Sequence, residues 1–141
     1  MATVQPNVVG LTFAKRLEFQ LEKRELSLIG IFQNVDRPEF PTSPIEMIVF
    51  AMVNGGRGEG VLQLAVYSLS AAEGYDMDRD WIYRQRKWVR YPDDPNFTVT
   101  IEIRVRNLIF FEPGEYLFVL SFDGKLITER RISVRRRDVA P

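Results

Sequence analysis

The chain has 141 residues, 45% of them hydrophobic, with 19 basic against 19 acidic side chains and neither histidine nor cysteine. That length suits one compact domain over 1–141, with a core over about 10–135 and short flexible ends. The missing residue types exclude disulfides, thiolate metal sites, histidine acid–base catalysis and histidine-ligated metals, while zero net charge removes any overall pull towards polyanions or anionic membranes.

In chain order, the opening MATVQPNVVG has no cationic segment and no apolar run long enough for a secretory signal. No window approaches the ~18 apolar residues of a membrane-spanning helix, so the expectation is a soluble, cytoplasmic protein without a membrane partner. LTFAKRLEFQL (11–21) and LSLIGIFQNV (26–35) flank the charged tetrapeptide EKRE and predict a first hairpin. Leu17, Phe19 and Leu21 alternate as in a strand, although Leu11, Ala14, Leu17 and Leu21 also keep helical spacing. Pro38, Pro41 and Pro44 then make RPEFPTSP an extended connection that cannot be helix. IEMIVFAMV (45–53) is apolar on both faces and predicts a strand covered on both sides. NGGRGEG (54–60) reads as a hairpin loop, GVLQLAVYSL (60–69) as a strand in which Gln63 is the only strongly polar side chain, and SAAEGYDMDRD (70–80) as the longest polar excursion.

WIYRQRKWVRY (81–91) has no clean face in a single register, and a bulge near Arg86-Lys87 purifies neither face. An edge strand or projecting hairpin tolerates that mixture best. FTVTIEIRV (97–105) alternates strictly, with Phe97, Val99, Ile101, Ile103 and Val105 on one side, and predicts a half-buried strand. YLFVLSF (116–122) is apolar on both faces and belongs in the middle of a sheet. EPGE (112–115) before it suits a type II turn, and Asp123-Gly124 after it suits a type I′ hairpin into KLITERRISV. The sum is all-β: about eight strands in an antiparallel two-sheet β-sandwich, immunoglobulin-like or C2-like.

LSLIGIF (26–32), FPTSP (40–44) and PGEYLFVLSFDGKLI (113–127) together resemble a family of small uncharacterised bacterial proteins with S-L-I-G-[IV]-F near the start and P-G-x-Y-x-F-x-[IL]-x-x-D-G near the end. The similarity spans most of 10–134 and is weakest over 70–95. It implies a β-sandwich with no assigned activity and no catalytic or binding residues to carry over. The matching residues also make sense as scaffold: Gly30 marks a bulge or a close backbone approach, Gly114 and Gly124 supply positive φ, and Tyr116 offers a buried ring whose hydroxyl needs a partner.

The least scaffold-like stretch is 81–91. Trp81, Tyr83, Arg84, Arg86, Lys87, Trp88, Arg90 and Tyr91 form a candidate partner-binding surface, because Trp, Tyr and Arg are the types enriched at binding hot spots. The same residues suit single-stranded nucleic acid, rings stacking on bases and cations meeting phosphates, but Asp93 and Asp94 on one side and Asp76, Asp78 and Asp80 on the other dilute the charge. The plainer account is an edge strand whose aromatics cover the core while its cations keep the edge soluble. Asp76, Asp78 and Asp80 are spaced like the first ligands of a calcium loop, yet Trp81 and Lys87 stand where an EF-hand needs Gly and Glu. What remains is a weak calcium site of looser design or, more simply, a solvated acidic loop. NGGRGEG lacks the ending of a phosphate loop, Arg135, Arg136 and Arg137 form a basic end, and no carboxylate pair sits in an apolar setting fit for catalysis. The expectation is a non-enzymatic sandwich that binds a protein partner or its own copy, without cofactor, metal or small-molecule substrate. Polyanion binding stands second.

Overall fold

The computed structural model describes residues 7–8, 10–54, 58–69, 80–91 and 98–138. Ten strands follow in order: β1 (Asn7–Val8), β2 (Thr12–Gln20), β3 (Glu25–Phe32), β4 (Asn34–Arg37), β5 (Ile45–Asn54), β6 (Gly58–Ser68), β7 (Trp81–Tyr91), β8 (Thr98–Leu108), β9 (Gly114–Phe122) and β10 (Lys125–Arg136). Among the described residues no helix is long and apolar enough to cross a membrane. One sheet runs β3-β2-β5-β8, with β1 lying along β5 on the same side as β2; the other runs β4-β10-β9-β6-β7.

The inner faces of the two sheets build the core. Phe13, Met47, Val49, Ile101, Ile103 and Val105 from the first meet Leu62, Leu64, Val66, Phe118, Leu120 and Ile132 from the second. Aromatic rings interlock edge to face, Phe13 on Phe118 at 4.9 Å between centroids and Phe110 on Tyr116 at 4.6 Å, the geometry favoured by the ring quadrupole. β8 follows its alternation, Ile101, Ile103 and Val105 buried against exposed Thr100, Glu102 and Arg104, while Phe97 lies outside the described residues. β9 sits between β10 and β6 and is buried on both faces, as its doubly apolar sequence requires. β5 is covered less completely than its sequence suggests, since Glu46 and Met52 are exposed on its outer face.

Alternation prevails over helical spacing in the first hairpin. β2 and β3 pair from Phe13↔Phe32 to Gln20↔Glu25. The apolar segment 26–35 is not one strand, however. It changes sheets at Gln33, so that β3 ends in the first sheet and β4 begins in the second, parallel to β10 through Val35↔Val134 and Asp36↔Arg135. That pair is the exception in a sandwich expected to be antiparallel throughout, and Asp36 and Arg135 close it with an ion pair at 2.9 Å. The proline-rich connection contains no helix, but it bends over 38–41, with a cis peptide at Phe40-Pro41, where an extended run was expected; buried Thr42 pins it, its N–H donating to the Phe110 carbonyl at 3.0 Å and its Oγ1 accepting from the Phe110 N–H at 3.1 Å.

Asp123 and Gly124 have φ of 49° and 80°, as a type I′ turn demands. Gly114 differs from expectation: its φ of 154° is not the ~80° of a type II turn. Gly30 sits at φ 71°, and a Cβ there would stand 3.0 Å from the Lys15 side chain, the close approach its place in an apolar strand foretold.

Candidate functional site

β7 is an edge strand, hydrogen-bonded to β6 alone. Its register with β6 slips once, between Val66↔Tyr83 and Tyr67↔Trp81, so the bulge falls at Ile82 and not near Arg86-Lys87. From Tyr83 onward the strand then alternates without interruption. Tyr83, Gln85, Lys87, Val89 and Tyr91 share the side of Leu62, Leu64 and Val66, the core side, while Arg84, Arg86, Trp88 and Arg90 stand opposite with Val61, Gln63 and Ala65. The bulge returns Trp81 to that outer side, where it packs with Leu69 against Ala65, Tyr67, Leu117 and Val119.

The eight sequence candidates therefore divide. Tyr83 and Tyr91 belong to the inner side, and their rings pack on the core. The Tyr83 hydroxyl donates to Gln85 Oε1 at 2.7 Å; burial pushes this phenol up, opposed by a backbone hydrogen bond from Arg106. Tyr91 is 4% exposed, lies edge-on to Phe122 at 5.2 Å, and has a buried hydroxyl without a hydrogen-bond partner among the described residues; burial pushes its pKa up to about 12. Lys87 is on the core side by register yet exposed, because β7 is the last strand of its sheet. Tyr91 is buried and Tyr83 partly buried, so both differ from the exposed residues of the strand.

The other five share one surface. The Arg84 guanidinium lies over the Trp81 ring, 4.5 Å from its centroid, and Arg86 Nε donates to Gln63 Oε1 at 2.8 Å, so both cations are pre-positioned by neighbours. Trp88 is 62% exposed opposite Val61, and Arg90 faces Glu59 across the ladder. Beside them runs an open groove of about 630 Å³ lined by Val61, Gln63, Tyr67, Arg84, Arg86, Val119, Ser121, Asp123, Gly124 and Leu126. Asp123 is held in place there, accepting from the Val61 N–H at 2.8 Å. The arrangement offers a mixed floor, Val61, Tyr67, Val119 and Leu126 interleaved with Gln63, Ser121 and Asp123, with Arg84 and Arg86 along one rim.

Sequence reading missed the groove because its floor comes from β6, β9 and the β9–β10 turn, far apart along the chain. Its one local signal was Gln63, the polar interruption in an apolar strand. Asp76 and Asp78 of the calcium-like spacing lie outside the described residues, as do Asp93 and Asp94; Asp80 is exposed just ahead of β7. Among the described residues no group of three or more acidic side chains gathers to hold a metal.

The chain belongs to a family of unknown function, DUF6941, whose model matches residues 11–135. No curated protein matches it. Among solved structures it is similar to part of a β-glucosidase from Kluyveromyces marxianus (15% identity over 80% of this chain and 16% of the enzyme, TM-score 0.43). It is also similar to part of a β-glucosidase from Listeria innocua, solved with isofagomine (9% identity, 92% of this chain and 16% of the enzyme, TM-score 0.43). The chain thus spans about a sixth of the length of those enzymes.

Proposed function

We propose that this chain is a non-enzymatic, immunoglobulin-like binding module that docks another protein on the outer face of the β6-β7-β9-β10 sheet. The observation that carries the reading is the alternation set by the Ile82 bulge, which gathers Trp81, Arg84, Arg86, Trp88 and Arg90 on one side of β7 beside a groove with both apolar and polar lining. Arginine and tryptophan at a groove rim suit a segment that brings an aliphatic or aromatic anchor together with acidic side chains. An immunoglobulin-like assignment is supported by the parallel β4–β10 pair formed after a switch between sheets. It is supported again by Tyr116, at the start of β9, whose hydroxyl donates to the Glu112 carbonyl at 2.6 Å in the manner of a tyrosine corner. A sequence without histidine or cysteine favours binding over acid–base or thiol catalysis. A bacterial cytoplasm is the compartment this reading takes, since a chain without cysteine needs no oxidising one.

The test is affinity capture with the wild-type chain and an Arg86→Ala/Trp88→Ala variant, followed by titration of whatever protein is retained. Both side chains are exposed, so the variant keeps the wild-type melting temperature and loses at least tenfold in affinity. A partner that binds both chains equally removes this face from consideration. The second reading, a polyanion surface, rests on the three outward arginines of β7. It requires quenching of tryptophan fluorescence by a single-stranded oligonucleotide, with a log–log salt slope of about −2 for three phosphate contacts. A partner captured through a mainly apolar contact shows a shallower slope.

A further inference from the structure

Each sheet of an open sandwich has edges whose unpaired N–H and C=O groups must be blunted or covered. β7 carries Arg84, Arg86, Lys87 and Arg90, and β8 carries Glu102, Arg104 and Arg106. β4 is four residues long and runs directly into Pro38. β3 has neither the charges nor the proline nor the shortness, and its one irregularity among the described residues is Gly30 at φ 71°. Its sequence ELSLIGIF holds one charged side chain, Glu25, at its first position, and it pairs with β2 alone. The hairpin also outruns its ladder: among the described residues β2 pairs with β5 only from Thr12 to Ala14, and beyond that point β2 and β3 are paired only with each other. On one face of this arm Leu17↔Leu28 and Phe19↔Leu26 face each other across the ladder, and Phe19, Leu21, Leu26 and, on the other face, Ile31 are 56%, 81%, 37% and 62% exposed. A lone two-stranded ribbon with an uncovered apolar face is marginal in water.

We infer that β3 is the interface of a two-fold dimer, in which the β3 edges of two copies pair antiparallel and join their first sheets into one. An antiparallel edge is self-complementary under a two-fold axis, so the same chain supplies the missing row of donors and acceptors. Charge permits it. The arm sets Lys15, Arg16, Lys23 and Arg24 against Glu18, Glu22 and Glu25, an excess of only one positive charge, and the whole chain has no net charge to repel a copy of itself. Antiparallel pairing also sets the tip of each arm beside the base of the other's β3, where the partner's second sheet begins. Phe19, Leu21 and Leu26 are thereby brought towards a neighbour that the single chain lacks. Specific interfaces bury roughly 1,000 Å² or more, and this contact draws on the eight-residue β3 edge together with these side chains. The dimer does not involve the outer face of β7, and its failure leaves that reading untouched.

Sedimentation and light scattering of the full chain at about 100 μM, well above a micromolar dissociation constant, read the result. The expected mass is twice 16.4 kDa, falling to a single chain in Leu26→Lys/Ile31→Lys and staying doubled in Met52→Lys, which alters an exposed apolar residue on β5. Hydrogen exchange provides the variant-free check: β3 amides are protected at high concentration and lose that protection on dilution. A monomeric wild type, a dimer that survives Leu26→Lys/Ile31→Lys, or concentration-independent exchange in β3 each overturns the inference.

Discussion

Tyr91→Phe isolates one atom. The Tyr91 ring is 4% exposed and rests edge-on against Phe122 at 5.2 Å, contacts that phenylalanine keeps in full. What the substitution removes is a buried hydroxyl with no hydrogen-bond partner among the described residues, a group whose desolvation without compensation costs about 1–3 kcal/mol. The variant is therefore expected to be more stable by about 1 kcal/mol or more, a rise of ~3 °C in melting temperature for a domain of this size. pH supplies a second, independent readout. The folded state holds the phenol proton up to about pH 12, against about 10 in the unfolded chain, so stability is unaffected below pH 10 and falls as pH rises from 10 to 12 while only the unfolded state ionises. The gap between those two ionisations sets an upper bound of about 3 kcal/mol on the alkaline loss, and Tyr91→Phe removes it. Urea titrations of both chains at pH 7, 10 and 11.5 measure the two effects together. A variant less stable than wild type, or an alkaline decline of unchanged size, would refute the reasoning and show that the hydroxyl has a partner.

Three further outcomes are expected from urea titration. Tyr116→Phe costs about 1 kcal/mol, because it leaves the Glu112 carbonyl without the hydroxyl that reaches it at 2.6 Å. Gly60→Ala costs about 2 kcal/mol, since the new methyl would stand 2.7 Å from Asp123 Cγ while that carboxylate is held on the Val61 N–H; Asp123→Gly in the same chain returns part of the loss. Asp36→Ala costs under about 1 kcal/mol and less as salt is added, because its ion pair with Arg135 is more than one-third exposed on both sides.

The fold was legible wherever local chemistry and period agreed. Asp123-Gly124 demanded positive φ at both positions, β8 alternated from Thr98 to Arg106, and β9 was apolar on both faces because it lies inside a sheet whose outer face carries its own small cluster of Ala65, Tyr67, Leu117 and Val119. The change of sheet at Gln33 was not legible. Nothing in LSLIGIFQNV distinguishes one strand of ten residues from two strands in different sheets, since both bury alternate apolar side chains and only the parallel partner β10, a hundred residues later, selects between them. The exposure of Met52 was hidden for a similar reason: sequence gives the apolarity of a face, while its cover depends on which neighbours cross it.

The candidate site shows the same division within eleven residues. Its membership in an edge strand followed from the mixture of side chains, but the face each one takes depended on where a single extra residue was inserted. With the bulge at Ile82, the core side of β7 still contains Gln85 and Lys87, which no pattern rule would place there. The structure tolerates them because the last strand of a sheet is covered on its inner side only in part, leaving Gln85 partly buried beside the Tyr83 hydroxyl and Lys87 exposed. An impure inner face was thus the signature of an edge and not of a wrong register. The pure face was the outer one, arginine at Arg84, Arg86 and Arg90 around Trp88, and it is on this consistency that the proposed docking face rests.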